Sequence, residues 1–291
     1  MSIINVDDIQ YELINWSNPE LHQELLRQFH SICCLEFNES EMEKLDVWEY
    51  LVRTQDPKWP YRMSLTIAYC YSQDQEHQEE VVENEKKDQE EKEKETVPKK
   101  KKILILGGVD HEYYPRSNCG MYPYVVVAKE ARGLGLCSKL VSKGFEALNK
   151  IARSEPYNRE NGIDELFIEL SQKSEAKDDG NPYHSVEAAI TRHKIWEKVG
   201  FLGLEFSFRH PAHLRNTAHQ LTVFRPTTEE EDKEKKNKKP VAVKTIDCFF
   251  RDMFRGIMMQ VNEEEKSDEE VDKVMSQVPK GKEFVEISEW W

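Results

Sequence analysis

Apolar residues in NPELHQELLRQFHSICCLEF and NESEMEKLDVWEYLVR recur three and four positions apart, the spacing of one helical face. Asn18 and Asn38 stand where side-chain caps for two helices belong. YRMSLTIAYCY and KILILGGV then read as strands, and MYPYVVVA as a third. From Leu134 to about Ala152 the helical spacing returns, DELFIELS is a strand, and VEAAITRHKIWEKVGF is a helix ended by Gly200. LGLEFSF and QLTVF form a strand pair around the loop RHPAHLRNTAH. VKTIDCFFRDMFRGIMM carries one more helical stripe, and EFVEISEWW adds an edge strand. The order αα-ββ-β-α-β-α-ββ keeps strands in adjacent runs. It predicts an α+β fold in three layers, a mixed and mostly antiparallel central sheet flanked by helices, over a doubly wound one.

Two segments interrupt this pattern. Ser72 to Lys102 and Thr227 to Pro240 mix both charge signs and contain almost nothing to bury, so both are expected to be solvated or disordered. A docking tail, or a nuclear address at Lys99–Lys102, is the functional alternative. The first segment falls between two strands, where extra loop length costs little. The expected organisation is one domain over 1–226 with an insert at about 72–102, a charged linker at 227–240, and a helical extension at 241–291 packing on the same domain.

Charged residues make up 33% of the 291, against a usual share of about 25%. A net charge of −14 and a pI near 5.2 argue against a nucleic-acid partner, which needs a basic face. The N-terminus lacks the basic start and apolar core of a secretory signal, and no apolar run approaches the roughly 18 residues that span a bilayer. A cytoplasmic protein with no membrane partner is expected. The six cysteines form no C-x-x-C pair, so reduced thiols and no zinc site are expected. His210, His213 and His219 lack a partner in regular spacing and read as an exposed or substrate-facing loop, not a metal site.

The stretch EARGLGLCSKL sits between a strand and a helix. Its glycines have the wrong spacing for a P-loop, and a dinucleotide fingerprint would place its third glycine at Ser138. The pattern R-x-x-G-x-[GA] does fit, through Arg132, Gly135 and the small Cys137. A tight turn that merely uses glycine is the structural alternative. VVVAKEARGLGLCSKLV resembles the acyl-CoA-binding motif of the GCN5-related N-acetyltransferase (GNAT) superfamily. HKIWEKVGF, after the intervening strand DELFIELS, resembles that superfamily's second motif. The match covers roughly Ile103 to Arg225.

The resemblance implies an acyl-CoA N-acyltransferase fold that uses acetyl-CoA, or a related short acyl-CoA, as co-substrate without a metal. It implies that the loop Arg132, Gly133, Leu134, Gly135, Leu136 and Cys137 holds the CoA pyrophosphate with backbone N–H groups at a helix N-terminus. It further implies that Val125 and Val127 pair with the amide-bearing arm of CoA, and that an N–H there polarises the thioester carbonyl. Cys137 has no implied catalytic role.

The implied activity is direct attack by a primary amine in a ternary complex, the acceptor being a small molecule or a protein amine. Glu112 or Glu169 is the candidate base, each with a surface carboxylate as its plain alternative. The superfamily often places a tyrosine where this chain has Trp196, whose indole N–H is no acid at physiological pH. Tyr124, Tyr183, His184 and His193 are the candidate acids, and a thiolate can also leave without one. The rival function is a non-catalytic acyl-CoA-binding or interaction module of the same fold.

Overall fold

The computed structural model describes residues 4–37, 42–72, 102–156, 159–171, 185–209, 218–224, 239–260, 263–278 and 281–288. A strand, β1 (Gln10–Ile14), precedes helices α1 (Pro19–Glu36) and α2 (Leu45–Thr54). Four strands follow: β2 (Arg62–Tyr71), β3 (Ile103–Tyr114), β4 (Cys119–Met121) and β5 (Val125–Val127). Next come α3 (Leu136–Ser154), β6 (Glu165–Ser171), α4 (Val186–Val199), β7 (Phe201–Arg209) and β8 (Ala218–Phe224). The C-terminal part comprises β9 (Val241–Ala242), α5 (Val243–Gln260), α6 (Ser267–Met275), β10 (Phe284–Val285) and β11 (Ile287–Ser288).

The main sheet runs β1-β2-β3-β4-β6-β8-β7-β11, with β5 also bonded to β3. The pairing of β4 with β6 is parallel and the others are antiparallel, so the sheet is mixed and mostly antiparallel. β2 and β3 form the expected hairpin, closed by Ser72 N–H donating to the Lys102 carbonyl at 2.8 Å. Most of the charged segment between them, residues 73–101, lies outside the described residues, as does most of the second, 225–238.

β3 is buried on both sides, and its alternation divides two cores. Tyr114 joins the core that contains Leu25 and Phe29 of α1, Trp48 of α2, and Phe249 and Phe254 of α5. Val109 and Tyr113 join the other, with Leu136, Leu140 and Leu148 of α3. Fully burying each such side chain contributes about 1.5–3 kcal/mol. On the α5 side, Phe249 packs 5.1 Å from Tyr114 and 4.8 Å from Phe167, ring centre to ring centre.

Asn18 caps α1 as its position suggests, accepting from Leu21 N–H with Pro19 in the first turn. α4 ends at Gly200, whose φ of +111° suits glycine. Asn38 lies outside the described residues, and α2 begins at Leu45 after the cap position Lys44. MYPYVVVA is two strands, not one, because Pro123 has no N–H to continue a ladder. β1 and α6 were not legible: QYELI is only half-buried and α6 is largely acidic. The tail contributes two short pieces, Phe284–Val285 on β9 and Ile287–Ser288 on the edge strand β7.

The contact between α1 and β3 leaves no room at Gly108, where an added Cβ would lie 2.8 Å from the ring of fully buried Phe29. Gly108→Ala is therefore expected to lower stability by about 1–3 kcal/mol, read from the urea midpoint. Adding Phe29→Leu to that variant should recover part of the loss.

Candidate active site

β4 and β6 run together for three residues, Cys119 to Met121 opposite Glu165 to Phe167, with one further bond from Tyr122 N–H to the Phe167 carbonyl. Then they part. β5 bonds to β3 at Gly107–Val109, while the rest of β6, Ile168–Ser171, bonds to β8. The result is a wedge-shaped gap between β5 and the far half of β6. Asp110 N–H donates to the Tyr124 carbonyl and Ala128 N–H to the Leu106 carbonyl. Antiparallel alternation then turns the N–H and C=O of Val126 toward β3, and those of Val125 and Val127 toward the gap. The Val127 carbonyl already accepts from Arg132 Nε at 3.1 Å, so its N–H is the group left facing the opening.

The loop beyond β5 is held from beneath. Leu136 is buried and Leu134, half-buried, packs against the α3-side core. Arg132 reaches Glu36 of α1 through Nη2 at 2.8 Å. Gly133 and Gly135 adopt φ of +87° and +73°, the left-handed region. A Cβ on either would meet no protein atom within 4 Å, so packing is not what demands small residues there. Gly135 caps α3 without a side-chain bond, and the first turn carries no acidic residue. The opening N–H groups of a 19-residue helix thus have no side-chain cap and no acidic neighbour in the first turn, an arrangement that suits phosphate oxygens. Burial pushes the Cys137 thiol up to about 11, which keeps it neutral and no nucleophile.

The carboxylates gather on the opposite face of β3 from α3. Glu112 is 9% exposed and accepts a short hydrogen bond from the Tyr114 hydroxyl. Burial pushes its carboxyl up to about 8; the charges of Glu43 and Glu169 add to this, while bonds from Tyr114 and Tyr61 oppose it. Asp110, two residues earlier on the same face, is 1% exposed, and its Oδ1 has no hydrogen-bond partner. Burial, then Glu112 and Glu43, hold its carboxyl well above the usual range. Glu43, just before α2, accepts from Trp48 Nε1 at 3.2 Å, the Tyr124 hydroxyl at 3.1 Å and Gln260 Nε2 at 3.4 Å.

Glu112 and Tyr124 are thus brought to one region through Glu43, and the charge of Glu169 also acts on Glu112. Asp110, Glu43, Tyr61, Tyr114 and Gln260 were missed. Asp110 could have been found from strand alternation with Glu112, whereas Glu43 and Gln260 arrive from segments 217 residues apart and carry no local signal. Trp196 lies elsewhere, partly buried in the α3-side core and edge-on to Phe201 at 5.2 Å. His193 is buried, with Nε2 3.4 Å from the Ser171 carbonyl at the end of β6. His219 is buried on β8 beside Phe208, in place of the exposed setting expected for it. Tyr183, His184, His210 and His213 lie outside the described residues. Among the described residues there is no metal-binding group of three or more ligands, and no helix is long and apolar enough to cross a membrane.

No protein-family model matches the chain, and no curated protein matches it. Similar solved structures do exist. The NatC complex bound to Gag peptide and CoA is 15% identical, with 76% of this chain and 99% of that one covered at a TM-score of 0.40. A protein assigned to the GNAT acetyltransferase family from Desulfovibrio desulfuricans is 13% identical, covering 74% and 98% at 0.41. Tetrahymena GCN5 is 11% identical, covering 76% and 99% at 0.37. At such identities and scores they add nothing to the chemistry, which rests on the residues above.

The buried carboxyl of Glu112 sets the sign of one pH effect. Its proton is held more tightly in the folded protein than in the unfolded chain, where the ordinary value is 4.5. Stability present below that value is lost as pH rises toward about 8. The melting temperature is expected to fall across that window. Glu112→Gln should flatten the fall without abolishing it, because Asp110 acts in the same direction.

Proposed function

We propose that the protein is an N-acyltransferase that moves an acetyl or other short acyl group from acyl-CoA to a primary amine. The observation that carries this reading is the gap between β5 and β6, which has an uncovered glycine turn at one end and a buried carboxylate with a raised pKa beside it. Acyl-CoA would supply the activated thioester. The N–H groups from Gly133 to Cys137 would bind its diphosphate, with Arg132 setting the register of the loop and its tie to Glu36 holding the turn in place. Val125 and Val127 would hold its amide-bearing arm as an added strand would be held. A backbone N–H in this strand would also stabilise negative charge developing on the acyl oxygen.

Glu112 would take the proton that the acceptor nitrogen sheds as its bond to the acyl carbon forms and the carbon–sulfur bond breaks. Burial suits it to this, since a base works best with a pKa near the working pH. Glu169 is the second carboxylate of the site and adds to the charge that raises Glu112. Tyr124, already a hydrogen-bond donor to Glu43, would return a proton to the departing sulfur. The C-terminal extension is assigned to the same domain because α5 packs on the face of the sheet that carries Glu112. Trp196 packs into the core and so does not favour the non-catalytic alternative.

Two variants test the halves of the site separately. Gly135→Glu should weaken CoA binding about tenfold or more, since its carboxylate would repel the diphosphate from N–H groups whose charge-assisted bonds are each worth about 1.5–3 kcal/mol. Gly135→Asn, which tolerates the left-handed backbone, serves as the folding control in calorimetry. Glu112→Gln should bind CoA normally yet lose about 10²–10⁴ in kcat/KM with an amine acceptor. Wild-type kcat/KM should rise with pH through about 8 as Glu112 ionises, read as thiol release. CoA binding without turnover of any amine would select the non-catalytic module instead.

A further inference from the structure

Glu112 accounts for one carboxylate at the site, and its neighbours need an explanation of their own. Asp110 is 1% exposed with an unpartnered Oδ1, and the charges that act on it are those of Glu112 and Glu43. The partners of the Glu43 carboxylate are an indole N–H, a phenol and an amide, all neutral. Among the described residues no lysine or arginine pairs with Asp110, Glu112 or Glu43. Buried carboxylates avoid the cost of an unpaired charge by staying protonated, the direction in which Glu112 and Asp110 are pushed, or by pairing with a cation. The chain supplies no such cation here, so a bound molecule would be its source.

The surroundings restrict what that molecule can be. Trp48 and Tyr124 turn their N–H and hydroxyl to Glu43, and Tyr114 and Tyr61 their hydroxyls to Glu112, so aromatic side chains border the cluster. α5 covers it, with Phe249 on Tyr114 and Gln260 on Glu43. A ligand for carboxylates so deeply buried must be a narrow chain. Asp110 and Glu112 stand two residues apart on one face of β3, about 7 Å along the strand, within the reach of a short aliphatic diamine.

We infer that Asp110 and Glu43 form a seat for a second ammonium group, and that the acceptor is a small aliphatic diamine or polyamine whose other nitrogen is presented to Glu112. This rests on the acyl-transfer reading and narrows its substrate. The seated ammonium also favours the ionised form of Glu112, so the correct acceptor readies its own base.

The test compares putrescine with butylamine, which differ by the second ammonium group, using the full chain and acetyl-CoA. Wild type should favour putrescine by about tenfold or more in kcat/KM, equivalent to about 1.4 kcal/mol, mainly through KM. Asp110→Asn and Glu43→Gln should each bring that ratio toward one, and a ratio is insensitive to a general loss of folded protein. Calorimetry with each amine on the chain without CoA reads the seat independently of turnover, and putrescine alone should bind. Equal kcat/KM for the two amines, or a peptide N-terminal amine preferred over putrescine, would overturn the seat while leaving acyl transfer standing. Turnover of neither amine, with putrescine still binding, would overturn the acyl-transfer reading and leave the seat.

Discussion

Past Met121 the parallel pairing of β4 with β6 cannot go on, and the candidate site is a consequence of that stop. Pro123 removes the donor a longer ladder would need. The residues on either side of it are tied to opposite faces of the sheet. Tyr122 sends its hydroxyl to the Val141 carbonyl of α3 at 2.8 Å, and Tyr124 sends its own to Glu43. The chain therefore leaves β6 at a fixed place and crosses to β3 alone. Backbone groups that would have been spent on a neighbouring strand are left for a ligand. The turn that follows needs glycine for its own conformation, which also keeps side chains out of the opening.

Local features of this arrangement were readable in one dimension. The strand–glycine–helix succession announces itself because all its parts lie within about a dozen residues, and φ-positive turns leave a compositional mark. Gly200 and Asn18 were legible for the same reason. The break in MYPYVVVA was also written there, since proline inside a strand run argues against a single strand. What could not be read was convergence. Glu43 looks like any carboxylate in an acidic linker until the fold sets it against Tyr124 and Gln260. Trp196 was judged by its place in a motif, while its packing on Phe201 depends on how α4 meets β7.

The two sides of the sheet divide the work. The α3 side offers neutral backbone, uncapped N–H groups and glycine, a surface that favours anions. The other side is walled by aromatic rings and holds carboxylates out of water, a surface that favours cations. β3 separates them with single-residue alternation, so Asp110 and Glu112 face one environment while His111 faces the other. There His111 is satisfied by Ser64 and Thr66, and burial pushes its imidazole down to about 3. A one-residue slip of β3 would carry both carboxylates to the α3 side and the uncharged imidazole to the other.

The tie between Gln260 and Glu43 has a consequence for how the protein is made. Its two ends are 217 residues apart, and the Arg116–Asp252 pair spans 136. Contacts of such separation form late, because the chain must close a long loop before they reward it. During synthesis the sheet and its glycine turn can assemble while α5 is still to come. The carboxylate face stays open to water until that helix docks. A nascent chain would thus acquire its anion-binding end first, and its buried acidic end only when the distant segment completes it.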